Sequence, residues 1–391
     1  MNPVYIVDAV RTPACLAGGA LSTIRAPELG SIAIAALYKR NSITPDKIDH
    51  VWMGNAFPAG SGSSPARQAA LLAGLPYHTP GTLVHSGCCS GMQAIITAAD
   101  TIKAGTVKIA AAGGMESMSQ IPHYLPGIRL KKQKGNLLLH DGMECDGQTH
   151  PFSKKHYGIL AEKETKTHDI SREEQEHYAL QSFNKLKQAS EQQAFKNEIL
   201  PVTIRSGTKH AVVKVDEGYS LYPAETVKNQ VPAYDADGSI TSATSAMPGD
   251  ASSALLLMEK DSLTRSGKDP IARIVSYASV ANNPKQSFST QAAALSKLYS
   301  LSGYTPEDID VFEIHESYAA SVLFTIRTSG LDPAKVNLHG GALCMGHPAG
   351  ASGARQIVSL CYILKKYGLK RGCAVISNPL GESCAVMIES A

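Results

Sequence analysis

Thr44-Pro45-Asp46-Lys47-Ile48-Asp49 returns near the far end of the chain as Thr305-Pro306-Glu307-Asp308-Ile309-Asp310. A second match follows each copy, because Ser90-Gly91 recurs as Ser352-Gly353 and both open a helical pattern in the same phase. The apolar positions are Met92, Ile95, Ile96, Ala99 and Ile102 in one, and Ala354, Ile357, Val358, Cys361 and Leu364 in the other. Each pattern stops near a glycine, Gly105 or Gly368, the residue that tolerates the left-handed turn closing a helix. Each then leads into a short apolar run, Val107 to Ala112 and Cys373 to Ser377, bounded like a buried strand. The repeat predicts two copies of one α/β unit.

The stretch 119–249 breaks this pattern with lysines, histidines, glycines and prolines, and reads as an inserted loop domain. Residues 1–118 with 250–268 then form the first half, and 269–391 the second. Within the insert, Ser171-Arg172-Glu173-Glu174 is a capping box that predicts a helix to about Gln193. The alternating, β-branched stretch from Val202 to Val215 predicts a hairpin.

With 391 residues, 43% hydrophobic and 18% charged, the chain can bury the cores of two or three domains. The first residues lack a basic region followed by an apolar run, and no run of about 18 apolar residues occurs, so neither secretion nor a membrane span is predicted. Eight cysteines without a C-x-x-C pair build neither a disulfide framework nor a zinc site, and no metal is expected; a reducing cytoplasm fits them best. The charge of +3 is mild, the basic run Arg129 to Lys134 reads as a solvated loop, and no nucleic-acid signature is present. A dinucleotide-binding oxidoreductase is set aside, since no G-x-G-x-x-G opens a helix after the first strand.

His85-Ser86-Gly87-Cys88-Cys89-Ser90-Gly91 places Cys88 at the start of the first repeated helix, where free N–H groups are expected to lower a thiol pKa. Most cysteines in such places are only small buried hydrophobes. The mirrored position of the second half carries Gly346-His347-Pro348-Ala349-Gly350, and the duplication sets the two helix starts side by side, so His347 can face Cys88. A histidine within reach makes a thiol a nucleophile near neutral pH, and the surrounding glycines let N–H groups approach an oxyanion.

These motifs resemble the thiolase family, the acetyl-CoA acetyltransferase type, over essentially the whole chain. The matching segments are Val4 to Pro13, Ser64 to Pro76, Ala111 to Ser119, His156 to Glu162, Ile170 to Gln175 and Gly346 to Arg355. The resemblance implies a five-layered α-β-α-β-α thiolase fold, a loop domain contacting coenzyme A, and a homodimer or homotetramer. It makes Cys88 the acyl-carrying nucleophile, His347 its activator, and coenzyme A a substrate or product rather than a resident cofactor. His156, Tyr157 and Ser245 are expected at the substrate. His315, in His315-Glu316-Ser317-Tyr318, stands where the family usually has an asparagine beside an oxyanion hole, and either side chain can donate.

The resemblance fails at one place that matters for chemistry. Thiolases carry a second cysteine in a C-x-G motif that moves the α-carbon proton, and here Ser377-Asn378-Pro379 occupies it. An alcohol is a far poorer base than a thiol, and proline has no N–H to give an oxyanion. Cys344 is the nearest other thiol in sequence to His347, and Ala246 and Gln286 to Ser289 depart from the usual coenzyme A contacts. Three readings follow: a thiolase acting on short acyl-CoA, an acyltransferase or thioester hydrolase without carbon–carbon chemistry, and a silent thiolase-like subunit.

Overall fold

The computed structural model describes residues 2–129, 136–206, 209–220 and 224–391, so most of the basic run at 129–134 lies outside the described residues. The first half begins with β1 (Val4–Arg11), β2 (Cys15–Leu16), α1 (Ala26–Arg40), β3 (His50–Gly54), α2 (Pro65–Leu72) and β4 (Gly81–Val84). It continues through α3 (Ser90–Lys103) and β5 (Ile109–Ser117). The insert holds β6 (His123–Tyr124), β7 (His140–Asp141), α4 (Tyr157–Thr167), α5 (Arg172–Glu191), β8 (Val202–Ser206), β9 (Lys209–Val213) and α6 (Ala224–Val227). The chain returns to the core in β10 (Gly249–Glu259) and α7 (Lys260–Ser266).

The second half is β11 (Ala272–Ala281), α8 (Ser289–Ser302), β12 (Val311–Ile314), α9 (Ala319–Ser329), α10 (Ala342–Met345), α11 (Ala349–Tyr367), β13 (Arg371–Ser377) and β14 (Glu382–Ser390). Its strands run β12-β13-β14-β11, and the first half repeats the order as β3-β5-β10-β1 with β4 added outside β3. In both, the last strand lies antiparallel between the first strand and the parallel pair. A lone parallel bridge from Phe312 to Val336 stands where β4 would recur. The two sheets are joined by a short antiparallel pairing of β1 with β11, Val4 to Ile6 against Ala272 to Ile274, making one sheet of ten strands among the described residues.

The repeated helices α3 and α11 lie between the halves, and their apolar faces share one core with residues of both sheets. Helices α1 and α2 cover the outside of one half, while α8, α9 and α5 cover the other. The result is a five-layered α-β-α-β-α core, with the segment between β5 and β10 inserted into it. Strands buried on both faces lose the usual apolar–polar alternation, which is why every residue of β10 is buried.

The repeated Ser-Gly pairs have a shared purpose. A Cβ on Gly91 would stand 2.6 Å from Gly350 O, and one on Gly353 would stand 2.8 Å from Met92 Cβ, so each glycine lets the opposite central helix approach. Close approach of α3 and α11 brings their N-termini, and with them Cys88 and His347, to one place. The same packing extends β5 beyond the apolar run ending at Ala112: a Cβ on Gly114 would stand 2.0 Å from Gly350 O, so only glycine continues the strand there.

In the insert, Ser171 Oγ accepts from Glu174 N at 3.2 Å while Glu174 Oε2 accepts from Ser171 N at 2.8 Å, the reciprocal cap that starts α5. The hairpin forms with Val202 opposite Val213. A buried ion triad holds the insert to β1: Arg11 Nε donates to Glu198 at 2.7 Å and Arg11 Nη1 to Asp216 at 2.6 Å. Among the described residues, no helix is long and apolar enough to cross a membrane.

Candidate active site

Gly87 has φ +53°, and a Cβ there would meet the Asn378 side chain at 3.2 Å, so glycine alone makes the turn that presents Cys88. Helix α3 starts two residues later at Ser90, whose Oγ accepts from Ser86 N at 2.9 Å and so fixes the turn. On the other side, Gly346 is also left-handed, at φ +84°, and His347 N donates to Met247 O at 2.7 Å. The two turns leave Cys88 Sγ 3.1 Å from His347 Nε2.

The remaining bonds assign the imidazole tautomer. Ser352 Oγ lies 2.7 Å from His347 Nδ1, and its hydroxyl donates to Pro348 O at 3.1 Å. With its one hydrogen used on the carbonyl, the Ser352 oxygen accepts from Nδ1–H, which leaves the Nε2 lone pair facing the Cys88 thiol. Nucleophile, base and orienting group therefore stand in line, and the arrangement can move the thiol proton to the imidazole as sulfur attacks a carbonyl.

The expectation of a lowered thiol pKa is corrected. Desolvation, followed by the Glu116 carboxyl, pushes the Cys88 thiol up to about 12, against the weaker effect of its own backbone N–H. Burial and then the Arg355 cation bring His347 down to about 3. Both shifts favour a neutral thiol beside a neutral imidazole. A helix end favours a thiolate, but the sequence does not show how far the two facing halves desolvate the half-buried Cys88.

Glu116, at the end of β5, accepts from Ala56 N and Gly350 N, each at 2.8 Å, from Phe57 N at 3.3 Å, and from the Asn55 amide. It therefore ties the first half to the N-terminus of α11. Burial raises its carboxyl to about 7, with those donors opposing the shift.

His315 follows β12 and is fully buried, its ring against that of His347 with centroids 4.3 Å apart. Its backbone is held by Val375 O and by Gln291 Nε2, yet neither ring nitrogen has a hydrogen-bond partner among the described residues. Burial, then the neighbouring His347 and Arg355, holds its pKa well below the ordinary histidine value. Ser377 ends β13, and among the described residues its hydroxyl bonds only to Gln291 Nε2, at 3.3 Å. Cys344 is fully buried, its sulfur donating to Gly341 O at 3.1 Å and lying 3.5 Å from Ser182 Oγ, with no bond to His347.

The expected substrate residues gather on the insert side. His156 caps α4 by accepting from Gly158 N at 2.9 Å and stacks on Tyr234 with centroids 4.9 Å apart. Tyr157 is buried beside the nucleophile: desolvation, then the Cys88 sulfur, raises its phenol to about 12. Ser245 is buried, its hydroxyl donates to Thr241 O at 2.9 Å, and its backbone forms an antiparallel bridge with Tyr318. The Gln286 to Ser289 segment is clamped by Glu164, which accepts from Ser287 N at 2.9 Å and Phe288 N at 3.0 Å. Among the described residues, no cluster of three or more His, Cys, Asp or Glu is placed to hold a metal ion.

The family model of the thiolase N-terminal domain matches residues 4–261, and that of the C-terminal domain matches 268–390. This chain belongs to the thiolase family. It is 38% identical to a cytosolic acetyl-CoA acetyltransferase of Gibberella zeae, over 100% of this chain and 99% of the relative. An acetyl-CoA acetyltransferase of Cupriavidus necator is likewise 38% identical, with 100% of both chains covered. The crystal structure of the Bacillus anthracis acetyl-CoA acetyltransferase superposes with a TM-score of 0.97 at 34% identity, over 100% of this chain and 99% of that one.

Against that family background, the loop after Ser377 stands out. Asn378 Oδ1 accepts from Leu380 N at 3.0 Å and Glu382 N at 3.2 Å, and Asn378 O accepts from Gly381 N at 3.2 Å. Asn378 N itself donates to Glu382 O at 2.8 Å, and Pro379 has no N–H. Every backbone donor of the loop is thus spent inside it. Asn378 Nδ2 also donates to Ser86 O at 3.2 Å, so this thiolase uses the loop to buttress the nucleophile turn. Ser352, Glu116, Gln291 and this clasp went unread in the sequence. Ser352 carried a signal, since it belongs to the repeated Ser-Gly pair, but a serine near a helix start reads first as a cap.

Proposed function

We propose that the protein is a thiolase of the acetyl-CoA C-acyltransferase type that works on short acyl-CoA through an acyl-Cys88 thioester. The observation that carries this is the 3.1 Å contact of Cys88 Sγ with an Nε2 whose tautomer Ser352 sets, inside a fold shared with acetyl-CoA acetyltransferases. Sulfur attacks the thioester carbonyl, His347 takes the thiol proton, and the departing coenzyme A thiolate receives it. Coenzyme A is substrate and product, with no resident cofactor. The eight free cysteines support a cytoplasmic location, and β4, an edge strand of the sheet, supports a homodimer or homotetramer.

One observation favours a second reading, acyl transfer or thioester hydrolysis without carbon–carbon chemistry: the loop at 378–382 offers no free N–H, and Ser377 carries an alcohol. Intact mass after brief exposure to acetoacetyl-CoA separates the two. A single acetyl adduct that vanishes in Cys88→Ala shows cleavage of the carbon–carbon bond. An acetoacetyl adduct supports the second reading, and an adduct unaltered by Cys88→Ala removes Cys88 from the mechanism.

A further inference from the structure

Carbon–carbon bond formation on an acyl-Cys88 needs a group that removes a proton from the methyl carbon of the incoming acetyl-CoA. That thioester must lie beside Cys88 Sγ, which fixes the neighbourhood in which the base stands. The groups there are already committed. His347 Nε2 faces the sulfur and its Nδ1 is bonded to Ser352. His156 Nδ1 accepts from Gly158 N, and Glu116 accepts from three backbone N–H groups and an amide. Cys89 is fully buried and directs its sulfur to Ile376 O at 3.5 Å. Ser377 holds an alcohol bonded to Gln291.

His315 alone among these has an uncommitted basic nitrogen. Among the described residues neither ring nitrogen bonds to a protein group, and the ring packs directly on that of His347, the partner of the nucleophile, with centroids 4.3 Å apart. The His315 backbone is fixed at both ends, N–H to Val375 O at 2.9 Å and carbonyl to Gln291 Nε2 at 3.1 Å, so the ring is held in place without using its own polar atoms. Resting on the thiolase reading above, we infer that His315 is the acid–base residue at the substrate α-carbon, in the role left open by the absent thiol at 377.

The step balances. A ring nitrogen of His315 takes a methyl proton, and the C–H electron pair becomes the enolate. The enolate carbon bonds to the acyl carbon on Cys88, the C–S bond breaks, and its electron pair leaves on Sγ. The proton on His315 is then returned to the Cys88 thiolate, restoring the neutral thiol and the neutral imidazole. Imidazolium and enolate appear together as an ion pair, which compensates for the dry surroundings that disfavour either charge alone.

The test uses acetyl-CoA in D2O with no second substrate, following deuterium in the acetyl group and acetyl mass on the protein. Wild type is expected to acetylate Cys88 and to wash deuterium into acetyl-CoA. His315→Asn keeps an amide that hydrogen-bonds but is not basic; it should keep Cys88 acetylation while washout falls by about 10²-fold or more. Retained acetylation certifies the fold, and His315→Gln is measured in parallel should the asparagine variant not fold. Washout at the wild-type rate in either acetylated variant, or a wild type that acetylates Cys88 without washout, overturns the assignment to His315. A wild type that never acetylates Cys88 overturns the thiolase reading itself, and this proposal with it.

Discussion

Ser352→Ala removes the oxygen that accepts from His347 Nδ1 at 2.7 Å and changes nothing that touches Cys88 directly. The imidazole then has two choices. Keeping the proton on Nδ1 leaves a buried donor unpaired, at a cost of about 1–3 kcal/mol; moving it to Nε2 pairs the ring with sulfur but destroys the lone pair that receives the thiol proton. Either way the acylation barrier rises by that amount, which corresponds to roughly 5- to 150-fold in rate. Single-turnover acetylation of Cys88, quenched and read by intact mass, measures it. Ser352→Thr restores the hydroxyl and should recover most of the rate. Acetylation at the wild-type rate in Ser352→Ala would refute the tautomer argument, because an unoriented His347 would then suffice.

Other outcomes follow from the same geometry. With the thiol near 12 and His347 near 3, thiolate at Cys88 should increase about tenfold per pH unit from 6 to 9, so iodoacetamide labelling should climb log-linearly; a plateau below pH 8 would reveal a resting thiolate–imidazolium pair instead. Because burial depresses His347, its neutral form supports the fold above pH 6.5, and that support is lost as pH falls from there toward 3; thermal melts across this window should show declining Tm, less steeply in His347→Asn. Pro379→Gly supplies a backbone N–H beside the nucleophile turn and should speed Cys88 acylation, by up to about 10²-fold if it reaches the oxyanion. An unchanged rate would mean that Asn378 captures the new donor as it does its neighbours. Glu116→Gln turns an amide N–H2 toward backbone donors that it cannot satisfy, costing about 1–3 kcal/mol, and should lower Tm by about 1–4 °C.

What could be read in the chain was whatever the duplication repeats. The Thr-Pro acidic turns, the two Ser-Gly helices and the glycines closing them are local signals copied twice, and they suffice to set Cys88 opposite His347. The capping box at Ser171 and the hairpin from Val202 were legible for the same reason, since their bonds run between near neighbours. Features made by long-range contact were not. The pairing of β1 with β11, the clasp of Asn378 on Ser86 and the docking of Gly350 N on Glu116 join residues whose sequence spacing carries no periodicity. The raised Cys88 pKa is of this kind as well: the helix start is written in the chain, whereas the desolvation of the sulfur is a property of two halves meeting.

The nucleophile and its base lie 259 residues apart, on opposite copies of the unit, and meet only where α3 and α11 cross. During synthesis, therefore, Cys88 emerges long before His347 exists, and the growing chain holds a thiol without its base. The chemistry switches on in one step, at docking of the second half. Recovery of Cys88 acylation after dilution from denaturant consequently clocks the union of the halves, and a circular permutant opened between them should lag in acylation whenever it lags in that union.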